Sequence, residues 1–89
     1  MKRVERIREH INQALEPVLL EIIDDSHLHA GHAGAAGGGG HFTVRIVSEK
    51  FSNHNAIERH RMVYAAVNDL MPTEIHALSI TALTPEEQQ

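Results

Sequence analysis

Eight histidines and no cysteine set the chemistry open to this chain. Four of those histidines, His27, His29, His32 and His41, fall in one run, SHLHAGHAGAAGGGGHF from Ser26 to Phe42, which is otherwise mostly glycine and alanine. Imidazole is the commonest metal-ligating side chain and titrates near neutral pH. Glycine loses the most backbone freedom on ordering and alanine buries little surface, so the run is poor material for a core. Residues 26–41 therefore read as a flexible arm carrying nitrogen donors. Without a thiolate of its own, the chain must ligate metal through imidazole or carboxylate, or borrow sulfur from a partner. Outside the arm, His76 opens the alternating segment HALSITAL, and His60 lies in a helical stretch.

Other chemistries find less support. No serine stands in a nucleophile motif and no dinucleotide fingerprint is present. Asp24 and Asp25 are adjacent, which on a strand sends them to opposite faces. The chain does not read as an enzyme. A formal net charge of −4 argues against a dedicated nucleic-acid binder, although Arg45, Lys50, Arg59 and Arg61 could form a small basic strip. No apolar run reaches bilayer-spanning length, and MKRVERIREH lacks the apolar stretch of a signal peptide. The expectation is a soluble cytoplasmic protein with no membrane partner.

The elements that must position these groups follow from periodicity. Val4, Ile7, Ile11 and Leu15 recur at helical steps, and Pro17 closes that helix. VLLEII, residues 18–23, reads as a strand ended by Asp24 and Asp25. HFTVRIVS, residues 41–48, alternates, with Phe42, Val44 and Ile46 on one face and Thr43 and Arg45 on the other. KFSNHN is a turn, and Asn55 with Glu58 forms a capping-box signature. Ile57, His60, Tyr64, Val67 and Met71 make a second helical stripe, which places His60 against the core, leaves Arg59 and Arg61 on more exposed faces, and runs until Pro72. Residues 76–83 form the last strand, with His76 on the parity of Leu78 and Ile80, and residues 84–89 read as a frayed tail. The 89 residues make a single small domain, one that buries only about 60% of its unfolded surface.

The order is helix, strand, strand, helix, strand. A strand–helix–strand crossover makes parallel strands with right-handed connection. The arm joins the end of the first strand to the start of the second, and the third strand starts at that same end. His76, His41 and the arm histidines are thus expected to converge on one edge of the sheet.

The segments VLLEIIDDS, S-x-x-H-A-G-H, HF-x-V-x-IVS-x-x-F, ERHRMVY and IHALSI-x-A-x-TP-x-E run in order over nearly the whole chain, and together they resemble the BolA family. The resemblance implies an α/β (α+β) fold of class II KH-like type, order α-β-β-α-β. That fold has a three-stranded mixed sheet, helices on one face and a helical turn before the main helix. It also implies an adaptor, monomeric alone, that forms a heterodimer with a monothiol glutaredoxin around a bridging [2Fe–2S] cluster, in iron–sulfur trafficking or iron and redox sensing. Carried onto this sequence, the ligands are His76 and one arm histidine, His29 or its near rival His32, while the partner and its glutathione supply sulfur. Imidazole ligation on one iron raises a cluster's reduction potential, and it weakens as pH falls through the histidine range. His41 supports the site or packs beside it, and His60 is structural. The alternative is a DNA-binding transcriptional regulator acting through the KH-like surface. KH domains clamp the nucleic-acid backbone with a GXXG loop, where this chain reads FSNHN. It also carries Gly37–Gly40 before the His-Phe pair, where relatives commonly have Ser, Glu or Thr.

Overall fold

The apolar steps of the N-terminal segment produce α1, Arg3–Leu15, with Ile7 and Ile11 fully buried and Leu15 nearly so. The helix stops at Glu16, whose left-handed backbone (φ 45°) returns its N–H to the Asn12 carbonyl. The Leu15 carbonyl accepts the Ser48 hydroxyl at 2.6 Å, and the Ser48 Oγ in turn accepts the Lys50 N–H at 3.1 Å. Ser48 is completely buried, so one side chain satisfies two backbone groups that would otherwise be left without partners.

The computed structural model describes residues 2–25, 40–71 and 73–88. After α1 come β1 (Leu19–Asp24), β2 (Gly40–Val47), α2 (Ala56–Ala66) and β3 (Ile75–Leu83). Short 3-10 turns occupy Glu49–Phe51, Asn68–Leu70 and Glu86–Gln88, the first of them just before α2. The sheet order is β1-β2-β3, antiparallel between β1 and β2 and parallel between β2 and β3. This is the expected α-β-β-α-β order with a mixed sheet. Phe42, Val44 and Ile46 of β2 are buried and face the same side as Leu20 and Ile22 of β1 and Leu78, Ile80 and Ala82 of β3, against which both helices pack. Thr43 and Arg45 alternate to the other face, as the sequence pattern requires.

Two sequence expectations change here. The capping box of α2 is present, with Asn55 accepting the Glu58 N–H at 2.8 Å and Glu58 accepting the Asn55 N–H at 2.9 Å. The helix nevertheless ends at Ala66, well before Pro72, and turns its Val63 and Val67 side inward, followed by Leu70. Ile57 is 65% exposed, Tyr64 is at the surface and His60 is exposed rather than packed. At 100° per residue, Val63, Val67 and Leu70 cluster on one line, and Arg59, one turn earlier, falls close to it. His60, Tyr64 and Ile57 lie progressively further round. The exposed apolar pair Ile57 and Tyr64 misdirects the sequence reading.

The tail is the second change. Thr84 is buried, and the Glu87 carboxylate accepts its N–H at 2.8 Å while also receiving Arg59. Residues 84–88 are tied down rather than frayed. Gly40 and His41 belong to β2 and not to the arm. Residues 26–39, with His27, His29 and His32, lie outside the described residues.

Candidate functional site

The end of the sheet where β1 stops and β2 starts is held by three backbone hydrogen bonds and one between side chains. Asp25 donates its N–H to the His41 carbonyl at 2.8 Å, and the Thr43 hydroxyl bonds the Asp25 carboxylate. Gly40 donates to the Glu74 carbonyl at 3.1 Å, and Glu74 in turn donates to the Leu70 carbonyl at 2.9 Å. The Glu74 side chain pairs with Arg6 of α1. That guanidinium, chiefly through its hydrogen bond, holds the Glu74 carboxyl below the usual carboxylate range. The turn leading into β3 is thereby fastened to α1 on one side and to β2 on the other.

The parallel ladder between β2 and β3 is out of step at this point. Gly40 pairs with Ile75, but His41 pairs with Ala77. His76 is the extra residue, without a register partner of its own. A bulge of this kind turns its side chain away from the regular alternation. Ile75 is fully buried and Leu78 faces the core, although they stand an odd three positions apart, whereas His76 is exposed. Simple alternation assigned His76 to the face of Leu78 and Ile80, and the bulge removes it from that face.

The consequence is a pair of imidazoles. The His41 and His76 ring centroids are 5.2 Å apart with the planes tilted by 42°. These two residues are 35 positions apart in sequence, and the expected convergence on one sheet end holds for both. Among the described residues no group of three or more histidine, aspartate or glutamate side chains is arranged to hold a metal ion. Any complete coordination shell must therefore draw further donors from beyond this pair.

The remaining candidates separate. Arg45 pairs with Glu21 at 3.6 Å across the open face of the sheet, and Lys50 pairs with Glu16 at 3.3 Å. Arg59 is not a surface cation in practice. Its side chain is only 13% exposed, and it donates to the carbonyls of Phe51 (3.1 Å), His54 (2.8 Å) and Ala82 (3.1 Å). It also grips Glu87 with two nitrogens, at 2.6 and 3.2 Å, and covers the Phe51 ring at 5.9 Å. Arg61 is exposed and forms no ion pair among the described residues. The basic strip thus reduces to one uncompensated cation. The inward role of Arg59 was available from its place four residues before Val63.

Comparison with known proteins places this geometry. The family model described as "BolA-like protein" matches residues 11–87. The Escherichia coli (strain K12) protein named "DNA-binding transcriptional regulator BolA" is 37% identical over 83 residues, covering 93% of this chain and 76% of that protein. "Protein BOLA1, chloroplastic" of Arabidopsis thaliana is 47% identical over 88 residues, covering 96% of this chain and 55% of that protein. The solved structure "BolA domain of SufE1 from Arabidopsis thaliana" superposes with a TM-score of 0.85 at 43% identity, covering 98% of this chain and 96% of that one. This chain spans 24% of the full-length plant SufE-like protein 1 and 55% of plant BOLA1.

Proposed function

The chain belongs to the BolA family, and from that premise we propose that it is an adaptor which binds a monothiol glutaredoxin and co-ligates a bridging [2Fe–2S] cluster. The observation that carries this reading is the His41–His76 pair at the sheet end from which residues 26–39 depart and to which they return. The donor set fits half of such a site. Imidazoles are offered at the surface, where a second protein can approach, and the chain has no thiolate to complete the other half. His76 would be the fixed ligand and His29 or His32 the one brought by the arm, with sulfur from the partner and its glutathione. When bound, the cluster supplies one-electron redox chemistry. The chain's own part is to hold one nitrogen at a bulge whose position is set by Arg6, Glu74 and Gly40. A cytoplasmic role in cluster trafficking or iron and redox sensing is part of the proposal.

The test is to mix the purified chain with glutathione-loaded monothiol glutaredoxin under cluster-reconstitution conditions and record visible absorption and circular dichroism. His76→Ala is expected to lose the mixed-complex spectrum, and either His29→Ala or His32→Ala to alter it. A wild-type spectrum from all three variants removes the ligand assignment.

DNA binding is a second reading, favoured by the name of the E. coli relative. Charge works against it, because Arg45, Lys50 and Arg59 are already paired with carboxylates. A gel-shift series against salt separates the two readings. Steeply salt-dependent retardation supports DNA contact through phosphates, and no retardation at moderate salt ends it.

A further inference from the structure

The two strand histidines do more than mark one ligand. Zinc binds imidazole nitrogen at about 2.0–2.1 Å in tetrahedral geometry, so each ring centroid sits roughly 3.2 Å from the ion and two such centroids lie about 5.2 Å apart. The observed separation of His41 and His76 is 5.2 Å. Here the register step at Gly40/His41 takes His76 out of the regular alternation and sets its ring beside that of His41.

The surroundings hold the backbone of both residues in place. His41 lies within β2, its carbonyl held by Asp25, and pairs with Ala77, the residue after His76. Ile75, immediately before His76, is fully buried, and Glu74 before it is bonded to Arg6 and Gly40. Both donors therefore project from ordered strand ends, and a pre-positioned pair forfeits little entropy on binding. His76 is exposed and His41 half-buried, which leaves the outward side of the ion to water.

We infer that His41 and His76 form a two-imidazole chelate for one divalent zinc-like cation, bound by the chain alone without the arm and without a protein partner. The inference goes beyond the cluster-sharing reading, since it makes His41 a ligand and needs neither glutaredoxin nor sulfur. An occupied pair would withhold His76 from any shared cluster.

The experiment titrates Zn²⁺ into the full-length chain carrying His27→Ala, His29→Ala and His32→Ala, followed by calorimetry and by the imidazole resonances in NMR. One ion per chain is expected, with the His41 and His76 rings shifting while those of His10, His54 and His60 stay unmoved. Adding His41→Ala or His76→Ala should weaken binding by at least ~10-fold, the scale at which even supporting residues affect metal affinity. Retained affinity in the His41→Ala background, or no binding once the arm histidines are gone, overturns the chelate. If an alanine variant unfolds by circular dichroism, His41→Asn and the ring-shift pattern of the parent decide the same point. The titration contains no glutaredoxin, so its failure leaves the cluster-sharing proposal standing, and a failed reconstitution leaves the chelate standing.

Discussion

Replacing Arg59 with alanine should damage the fold far more than replacing Arg61, two residues away on the same helix. Arg59 donates to three backbone carbonyls, and two of those bonds, to Phe51 and Ala82, are partly buried. A hydrogen bond from a charged group contributes about 1.5–3 kcal/mol when well formed. Because Nε and Nη1 each divide between two acceptors, about 1 kcal/mol for each partly buried carbonyl is the sounder figure. Cover of the Phe51 ring adds roughly 0.5–1 kcal/mol. The ion pair with the half-exposed Glu87 is left out of this figure, because solvent screens it. Arg59→Ala is therefore expected to cost about 2–3 kcal/mol, or about 10–20 °C in midpoint for a domain of this size. Arg61→Ala, at an exposed position, should stay within about 0.5 kcal/mol. Urea and thermal unfolding followed by far-UV circular dichroism measure both. Arg59→Lys should recover only part of the loss, because one ammonium cannot reach Phe51, Ala82 and Glu87 together. Equal stability of Arg59→Ala and Arg61→Ala would refute the reasoning and return Arg59 to the role of a surface cation.

Three further outcomes are expected. Arg59, and after it the Thr84 N–H, depress the Glu87 carboxyl to about 2 from an ordinary 4.5. A depressed folded value means that its stabilisation is fully present above about pH 4.5 and is lost as pH falls towards 2. The thermal midpoint of the wild type should accordingly fall more steeply than that of Glu87→Gln between pH 5 and pH 2, and parallel curves would contradict the pairing. Ser48→Ala strips partners from the Leu15 carbonyl and the Lys50 N–H in a fully buried position. Its cost should be about 1–3 kcal/mol by urea unfolding. Asn55→Ala removes the cap of α2 and should cost about 1 kcal/mol, with the first turn losing amide-exchange protection before the rest.

Much of the fold is legible in local pattern. The stripe of α1, the alternation of β2 and the Asn55–Glu58 capping box each depend on residues only a few positions apart, and each stands in the structure as the spacing predicts. The convergence of His41 with His76 also follows from reasoning about chain direction, because a parallel crossover must return the third strand to the end where the second began. The α2 face was less legible. Ile57 and Tyr64 are apolar but exposed, so counting hydrophobic residues selected a stripe rotated from the one the sheet covers. Arg59 belongs to the same rotated face: its place four residues before Val63 marks the inward side, but the carbonyls that hold it there are assembled only by the fold.

The sequence by itself determined the donor chemistry, imidazole without thiolate, and the order of elements that brings two imidazoles to one sheet end. Tertiary structure alone decided how they meet. The register step that frees His76 from the core parity arises between strands distant along the chain, and the pairing of Arg45, Lys50 and Arg59 with acids joins residues up to 34 positions apart. Periodicity measures neighbours along one segment. A bulge and an ion pair are set by what the opposite segment presents, and that becomes fixed only when the strands and helices close on a common core.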